Sequence, residues 1–281
     1  MDVAKIAICI IRCKCIWEIY KKTRNLTMTD SKFEDWDKYW NNFERPNYIN
    51  YISQIIDSIQ QHIIIEEAKI LEVGCGTGGN ISALAQMRAN VTAIDYSLPA
   101  IERTTKTAAR SQVSLSLAMA DANHLPFSSN TFDLIFHQGL LEHFREPRRI
   151  IREQKRVLKR GGYILVDVPQ RYNIYTLLKR RLISRGEWPY GVWETEFSFF
   201  ELKNLLREEG FETVDAYARD YSTRPPQMLR KLYMAEQRLF HRKILPQLIW
   251  DAYIGGWVRF ERSTIALFTL KNIGILAQRT S

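Results

Sequence analysis

The segment Glu72-Val73-Gly74-Cys75-Gly76-Thr77-Gly78-Gly79 constrains this chain more than any other. It follows the short apolar run Lys69 to Val73 and precedes a helical pattern over Asn80 to Arg88. Glycine lets the main chain turn into conformations that a Cβ forbids, and lets another group approach the backbone closely. A strand, a glycine turn and a helix in that order form the first half of a strand–helix–strand unit. Such a unit returns the chain parallel to its start through a right-handed crossover.

The same alternation continues downstream. Strands are expected at Val91 to Ile94, Val113 to Met119, Phe132 to Phe136 and Tyr163 to Val168, with helices at Leu98 to Ser111 and Pro147 to Lys159. A helix from Ser198 to Glu209 stops at Gly210, and a strand over Phe211 to Ala218 begins at once. Strands separated by helical patterns predict an α/β domain built on a mostly parallel sheet. Two stretches break the pattern: the basic and aromatic Arg171 to Thr195, and a helical insertion over 225–260 ahead of the last strand, 273–278. Both are read as additions at the strand-end side of one domain over 31–281, whose core runs 69–221. Before the core, Phe33, Trp36, Tyr39, Trp40 and Phe43 recur at helical spacing, the mark of a packing face. An amphipathic helix follows from Tyr48 to His62.

Residues 1–30 are the least specified segment. Their longest apolar run, Ile6 to Ile11, is too short to span a bilayer. No basic region precedes it and no small-residue cleavage site follows it, so a signal peptide is not expected. An amphipathic helix touching a membrane and a translation start at Met28 are both open readings. Cys9, Cys13, Cys15 and Cys75 form no disulfide framework and no metal-ligand spacing, which suits a reducing, cytoplasmic location, with peripheral membrane contact as the variant. Formal charge is +9, and Phe144 to Arg160 alone holds eight basic and two acidic residues. A basic surface favours anionic partners. Here, however, Ile150, Ile151, Val157 and Leu158 make a buried stripe, which leaves the charges as a solvated helix face.

The glycine turn by itself is ambiguous. Gly74, Gly76 and Gly79 fit the dinucleotide pattern GxGxxG, while Gly74, Gly76 and Gly78 fit the shorter GxGxG. Asp95 ends the second strand 19 residues after Gly76, where a carboxylate can accept from both hydroxyls of a ribose. That placement suits NAD and S-adenosyl-L-methionine alike. The later motifs separate the two: Ala120-Asp121-Ala122 with Leu125-Pro126-Phe127, the strand Phe132 to Phe136, Leu141-Glu142-His143-Phe144, and Val157-Leu158-Lys159-Arg160-Gly161-Gly162.

With the glycine turn, the Asp95 strand end and these later motifs in order, the chain resembles the class I S-adenosylmethionine-dependent methyltransferases that act on small molecules, including those of quinone and sterol biosynthesis. The resemblance runs from Lys69 to Val168 and more weakly to Phe211. It implies a Rossmann-like, seven-stranded, mostly parallel sheet with helices on both faces, an antiparallel last strand and a helical insertion before it. It also implies roles. Glu72 and the backbone of Gly74, Cys75 and Gly76 would face the methionine end of the cofactor. Asp95 would hold the ribose and Tyr96 would lie against the adenine. Asp121 would accept from the adenine amino group, the Ala122 amide would meet a ring nitrogen, and the His137 carbonyl would face the ammonium.

Methyl transfer needs a general base only when the acceptor is a hydroxyl or a protonated amine. The candidates are His143, His137, Tyr190, Glu194 and Glu196, with His143 preferred for its place after the fourth strand. Against it, the Glu-His pair recurs in this family as a helix-start and packing element without a general catalytic duty. Trp188 to Phe197 either lines the acceptor pocket or packs against the sheet. In the first case Arg171, Arg180, Arg181 and Arg185 would draw an anionic acceptor. The expected partner is a small molecule, lipid-like or sugar-bearing, rather than nucleic acid, since the fourth strand ends in His137-Gln138-Gly139-Leu140 and not in the tetrapeptide of base methyltransferases. The insertion would cap the pocket, form a dimer face or rest on a bilayer, and the sequence assigns no oligomeric state. Two alternatives are a nicotinamide dehydrogenase and a cofactor-binding partner protein that methylates nothing.

Overall fold

The computed structural model describes residues 33–42, 54–185, 194–219, 259 and 262–280. Residues 1–30, Phe43, Trp188, Tyr190, Trp193 and all of the 225–260 insertion except Arg259 lie outside these.

Two short helices, α1 (Phe33–Asn41) and α2 (Gln54–His62), precede the sheet. The alternating part then runs β1 (Lys69–Val73), α3 (Gly79–Gln86), β2 (Asn90–Asp95), α4 (Leu98–Arg110), β3 (Ser116–Met119) and β4 (Phe132–Gln138). A 3₁₀ turn at Leu141–His143 leads to α5 (Pro147–Val157), β5 (Leu158–Pro169) and α6 (Ile174–Ser184). Next come α7 (Phe199–Glu208), β6 (Phe211–Arg219), α8 (Thr264–Thr269) and β7 (Asn272–Arg279).

The seven strands form one sheet in the order β3-β2-β1-β4-β5-β7-β6. The five strands from β3 to β5 are parallel, and β7 runs antiparallel to both its neighbours. Strands buried on both faces need apolar residues at successive positions, and β1 supplies Ile70, Leu71 and Val73, all buried. Leu71, Ile135 and Val166 face a core shared with α5 and α7, whereas Ile70, Leu134 and Phe136 face one shared with α2, α3 and α4. Helices therefore cover both faces. The strand order reverses between β1 and β4, so a crevice opens at their carboxyl ends, the usual ligand position in such sheets.

Three details depart from the expected elements. The basic and aromatic stretch after β5, to which the sequence assigned no element, contains a regular helix, α6. Its apolar Leu177, Leu178 and Ile183 are exposed, which blurs the one-sided pattern that marks a helix in sequence. Helix α5 ends at Val157, before Lys159, because β5 already begins at Leu158 and bulges at Gly161-Gly162, with Gly161 at φ 71°. The charges of α5 also do more than face solvent. Arg152 binds both carboxylate oxygens of Glu209 (2.8 and 3.0 Å) and Arg148 reaches Glu209 at 3.2 Å, tying α5 to the end of α7.

At the antiparallel edge, Asp167 of β5 is fully buried and accepts two hydrogen bonds from Arg219 (2.7 and 2.6 Å) and one from the Tyr217 hydroxyl (3.1 Å). The hydroxyl end of the Tyr217 ring packs on Gly274, where a Cβ would lie 2.1 Å from Cζ. Gly274→Ala must therefore displace Tyr217 or the strand, and should cost about 1–3 kcal/mol in chemical denaturation. Gly79→Ala, whose Cβ meets nothing within 4 Å, should cost nothing by the same measurement. Equal stability of the two variants would contradict this packing.

Candidate functional site

The crevice is built around the glycine turn. Gly74, Gly76 and Gly78 hold φ of 72°, 52° and 70°, left-handed conformations that glycine adopts without steric cost. Their amides are pinned to the end of β2: Gly74 and Cys75 donate to the Ile94 carbonyl (2.8 and 3.0 Å). Gly76 donates to Asp95 Oδ2 at 3.0 Å, and Ser97 donates to Oδ1 at 2.9 Å. The turn is also crowded from outside. A Cβ on Gly76 would lie 2.6 Å from the Trp40 ring, one on Gly78 2.5 Å from Thr104, and one on Gly74 3.0 Å from Leu140.

Two carboxylates meet here in a buried setting. Burial raises the pKa of Glu72 well above the usual range, the Ile81 amide partly offsets this, and the charge of Asp95 adds to it. Glu72 Oε2 meets no donor among the described residues. Burial likewise lifts Asp95 to about 6, against the stabilising amides of Ser97, Gly76 and Tyr96. A buried acceptor without a donor is costly, so Glu72 fits a ligand that brings an N–H to the turn. Asp95 has further lone pairs able to accept from a diol.

The remaining expected residues fall around the same crevice. Tyr96 follows Asp95 and is half buried, its phenol raised to about 12 by burial and by the nearby carboxylates, Asp121 first among them. Asp121 follows β3, and its Oδ1 accepts from the backbone and side-chain amides of Asn123 (2.8 and 2.9 Å). Ala122 beside it is buried. His137 lies near the end of β4, fully buried, with neither ring nitrogen partnered among the described residues. Burial depresses its pKa to about 3, so the ring is neutral at physiological pH. His143 closes the 3₁₀ turn, and its ring stands edge-on to Trp36 at 4.7 Å.

Of the other candidate bases, Glu194 pairs with Lys179, while Glu196 pairs with Lys179 (3.3 Å) and Arg180 (3.0 Å). Arg171 pairs with Glu201 and donates to the Glu196 carbonyl oxygen, so Arg171 and Arg180 are both engaged within the fold. Arg181 and Arg185 are exposed.

Sequence reasoning missed three parts of the site. The aromatic helix α1, read as packing, covers the crevice. Trp40 lies on Gly76, Trp36 on His143, and Asp37 accepts from the Ser97 hydroxyl at 2.7 Å. Asn80 donates to Gln138 at 3.0 Å, linking the start of α3 to the end of β4. Glu142 is buried beside His143. The helical spacing of Trp36 and Trp40 was visible, but nothing local shows what a helix face covers.

Comparison with known proteins agrees with this geometry. Residues 71–166 match the family model for the methyltransferase domain. The ubiquinone biosynthesis O-methyltransferase of Coxiella burnetii is 30% identical over 139 residues, covering 49% of this chain and 58% of that protein's length. A SAM-dependent methyltransferase from Thermotoga maritima superposes with a TM-score of 0.59 at 18% identity, covering 88% of this chain and 100% of that one. A [4+2]-cyclase superposes with a TM-score of 0.53 at 22% identity over 85% of each chain, so the fold also carries other chemistry. The matched domain, the sheet order and the glycine turn together support a methyltransferase domain of the class I, S-adenosylmethionine-dependent kind over residues 71–166.

Proposed function

We propose that the chain transfers a methyl group from S-adenosyl-L-methionine to a small-molecule acceptor. The observation that carries this reading is the convergence of Glu72 Oε2, buried without a donor, and the Asp95 carboxylate on one positive-φ glycine turn. When bound, the cofactor supplies an electrophilic sulfonium methyl, and the chain's own residues bind, orient and exclude water. Glu72 takes the amino group of the methionine end, next to the backbone of Gly74, Cys75 and Gly76. Asp95 accepts from the ribose hydroxyls. Tyr96, Asp121 and the Ala122 amide hold the adenine, and the His137 carbonyl faces the ammonium. Trp40 and Trp36 close the crevice from the α1 side, and keeping water away strengthens each of these interactions. Orientation of the acceptor in line with the breaking C–S bond can supply on the order of 7–11 kcal/mol of the barrier.

The small-molecule acceptor rests on the likeness to the quinone-pathway O-methyltransferase, which acts on such a compound by its printed name. With tritiated methyl donor, label should pass into small molecules of a deproteinised cell extract. Label recovered only in protein or RNA would reject this acceptor class.

The ribose role of Asp95 has a pH signature. Its folded pKa, about 6, lies above the ordinary 3.8. Between those values the folded chain keeps a proton that the unfolded chain releases, so this group favours folding at low pH and that contribution is lost as pH rises through 6. Cofactor binding runs the opposite way because it uses the ionised form. Affinity for S-adenosylhomocysteine should fall by up to about tenfold per pH unit below 6 through this group. Asp95→Asn should bind weakly at every pH and lose the Asp95 part of that slope. A flat wild-type profile from pH 5 to 7 would remove Asp95 from the ribose.

A further inference from the structure

Glu142 is a carboxylic acid at the strand-end crevice whose own amide answers the carboxyl on one side only. It lies in the 3₁₀ turn after β4 and is 3% exposed, and its Oε2 meets no donor among the described residues. Its other oxygen lies 3.5 Å from the position a Cβ would take on Gly139. The turn is held from both sides of the crevice. On the cofactor side Leu140 abuts Gly74 and His143 abuts Trp36. On the far side the Thr195 amide donates to the Glu142 carbonyl oxygen at 2.8 Å, bringing the 194–198 segment alongside.

The charged groups acting on this carboxyl are Glu194 from that segment, Asp167 from β5 and Lys179 from α6. All three are matched elsewhere: Lys179 by Glu194 and Glu196, and Asp167 by Arg219. Glu142 is thus the odd acid in an otherwise paired wall. An anionic acceptor would be repelled by it. A protonated amine could pair with the carboxylate only by taking a second charge out of water, which is costly. A neutral group with an O–H to donate answers Oε2 at the lowest cost.

We infer that Glu142 is the catalytic residue that receives the acceptor, and that the acceptor is a neutral hydroxyl compound whose O–H points at Oε2. The inference rests on the methyl-transfer reading above. The hydroxyl oxygen forms the new bond to the methyl carbon as the C–S bond breaks. The electron pair of that bond stays on sulfur, giving S-adenosylhomocysteine, and the hydroxyl proton passes to Glu142 and then to water. Burial, the largest effect, with Glu194 and Asp167 behind it, holds the carboxyl well above its ordinary range. It is therefore a stronger base than an exposed glutamate when ionised.

The test uses the full chain saturated with S-adenosylhomocysteine and three probes of similar shape: phenol, benzoate and benzylammonium. Calorimetry should show phenol bound in preference to both ions. Its affinity should decline as pH falls and Glu142 takes up a proton. Glu142→Gln should leave S-adenosylhomocysteine affinity within about twofold, weaken phenol at least about tenfold, and abolish the pH dependence, with Glu142→Asp restoring part of each. Benzoate or benzylammonium bound more tightly than phenol would overturn the inference, a result that needs no variant. So would phenol bound equally by wild type and Glu142→Gln, or none of the probes bound. A wild-type chain that fails to bind S-adenosylhomocysteine would overturn the methyl-transfer reading, and this inference with it.

Discussion

The carboxylate of Asp95 is the joint on which the site is assembled. One oxygen accepts from Gly76 and the other from Ser97, so a single side chain ties the glycine turn after β1 to the start of α4 after β2. The adjacent Ile94 carbonyl takes Gly74 and Cys75, and the Thr104 hydroxyl, in the second turn of α4, lies 3.2 Å from the Gly76 carbonyl oxygen. Three positive-φ glycines are held open by this set of bonds, with Gly76 against Trp40 and Gly78 against Thr104. The arrangement requires a carboxylate buried near a second one, Glu72, and the pKa of both rises. Perturbed acids at the mouth of a crevice mark sites built for a ligand more often than sites built for stability.

That the same scaffold appears in a [4+2]-cyclase separates fold from reaction. The sheet provides strand ends and a switch point, and the reaction depends on which polar groups stand there. On the proposed reading, Glu72, Asp95 and Asp121 would line the cofactor side, and Glu142 with the ion pairs of Lys179, Arg180 and Arg219 the acceptor side. The walls of the two halves differ in kind. Backbone amides neutralise the first, and salt bridges between α6, the 194–198 segment and the β5 end neutralise the second.

What could be read from sequence follows the range of the interaction concerned. The strands β1, β2, β4 and β6 and the glycine turn announce themselves within a few residues, and Asp95 is fixed by its place at the end of β2. Ser198 and Glu201 form a capping box whose two partners are three residues apart, so the start of α7 was equally plain. By contrast, Asp37 meets Ser97 across 60 residues and Lys179 meets Glu194 across 15. Such pairs leave no periodic trace. The arginines after β5 illustrate the consequence. Their number suggested a basic pocket for an anion, but Arg171 and Arg180 turn out to be matched by Glu201 and Glu196. Charge counts are visible in sequence; charge pairing is a tertiary property.

The central claim is that this crevice takes a sulfonium nucleoside through Asp95 and the glycine turn. Calorimetric titration of the purified chain with S-adenosylmethionine, S-adenosylhomocysteine and NADH, beside Asp95→Ala, tests it most directly. The account predicts binding of the first two by the wild type, its loss in the variant, and no binding of NADH. Binding of NADH alone, or binding of the two sulfur compounds that survives Asp95→Ala unchanged, would contradict it.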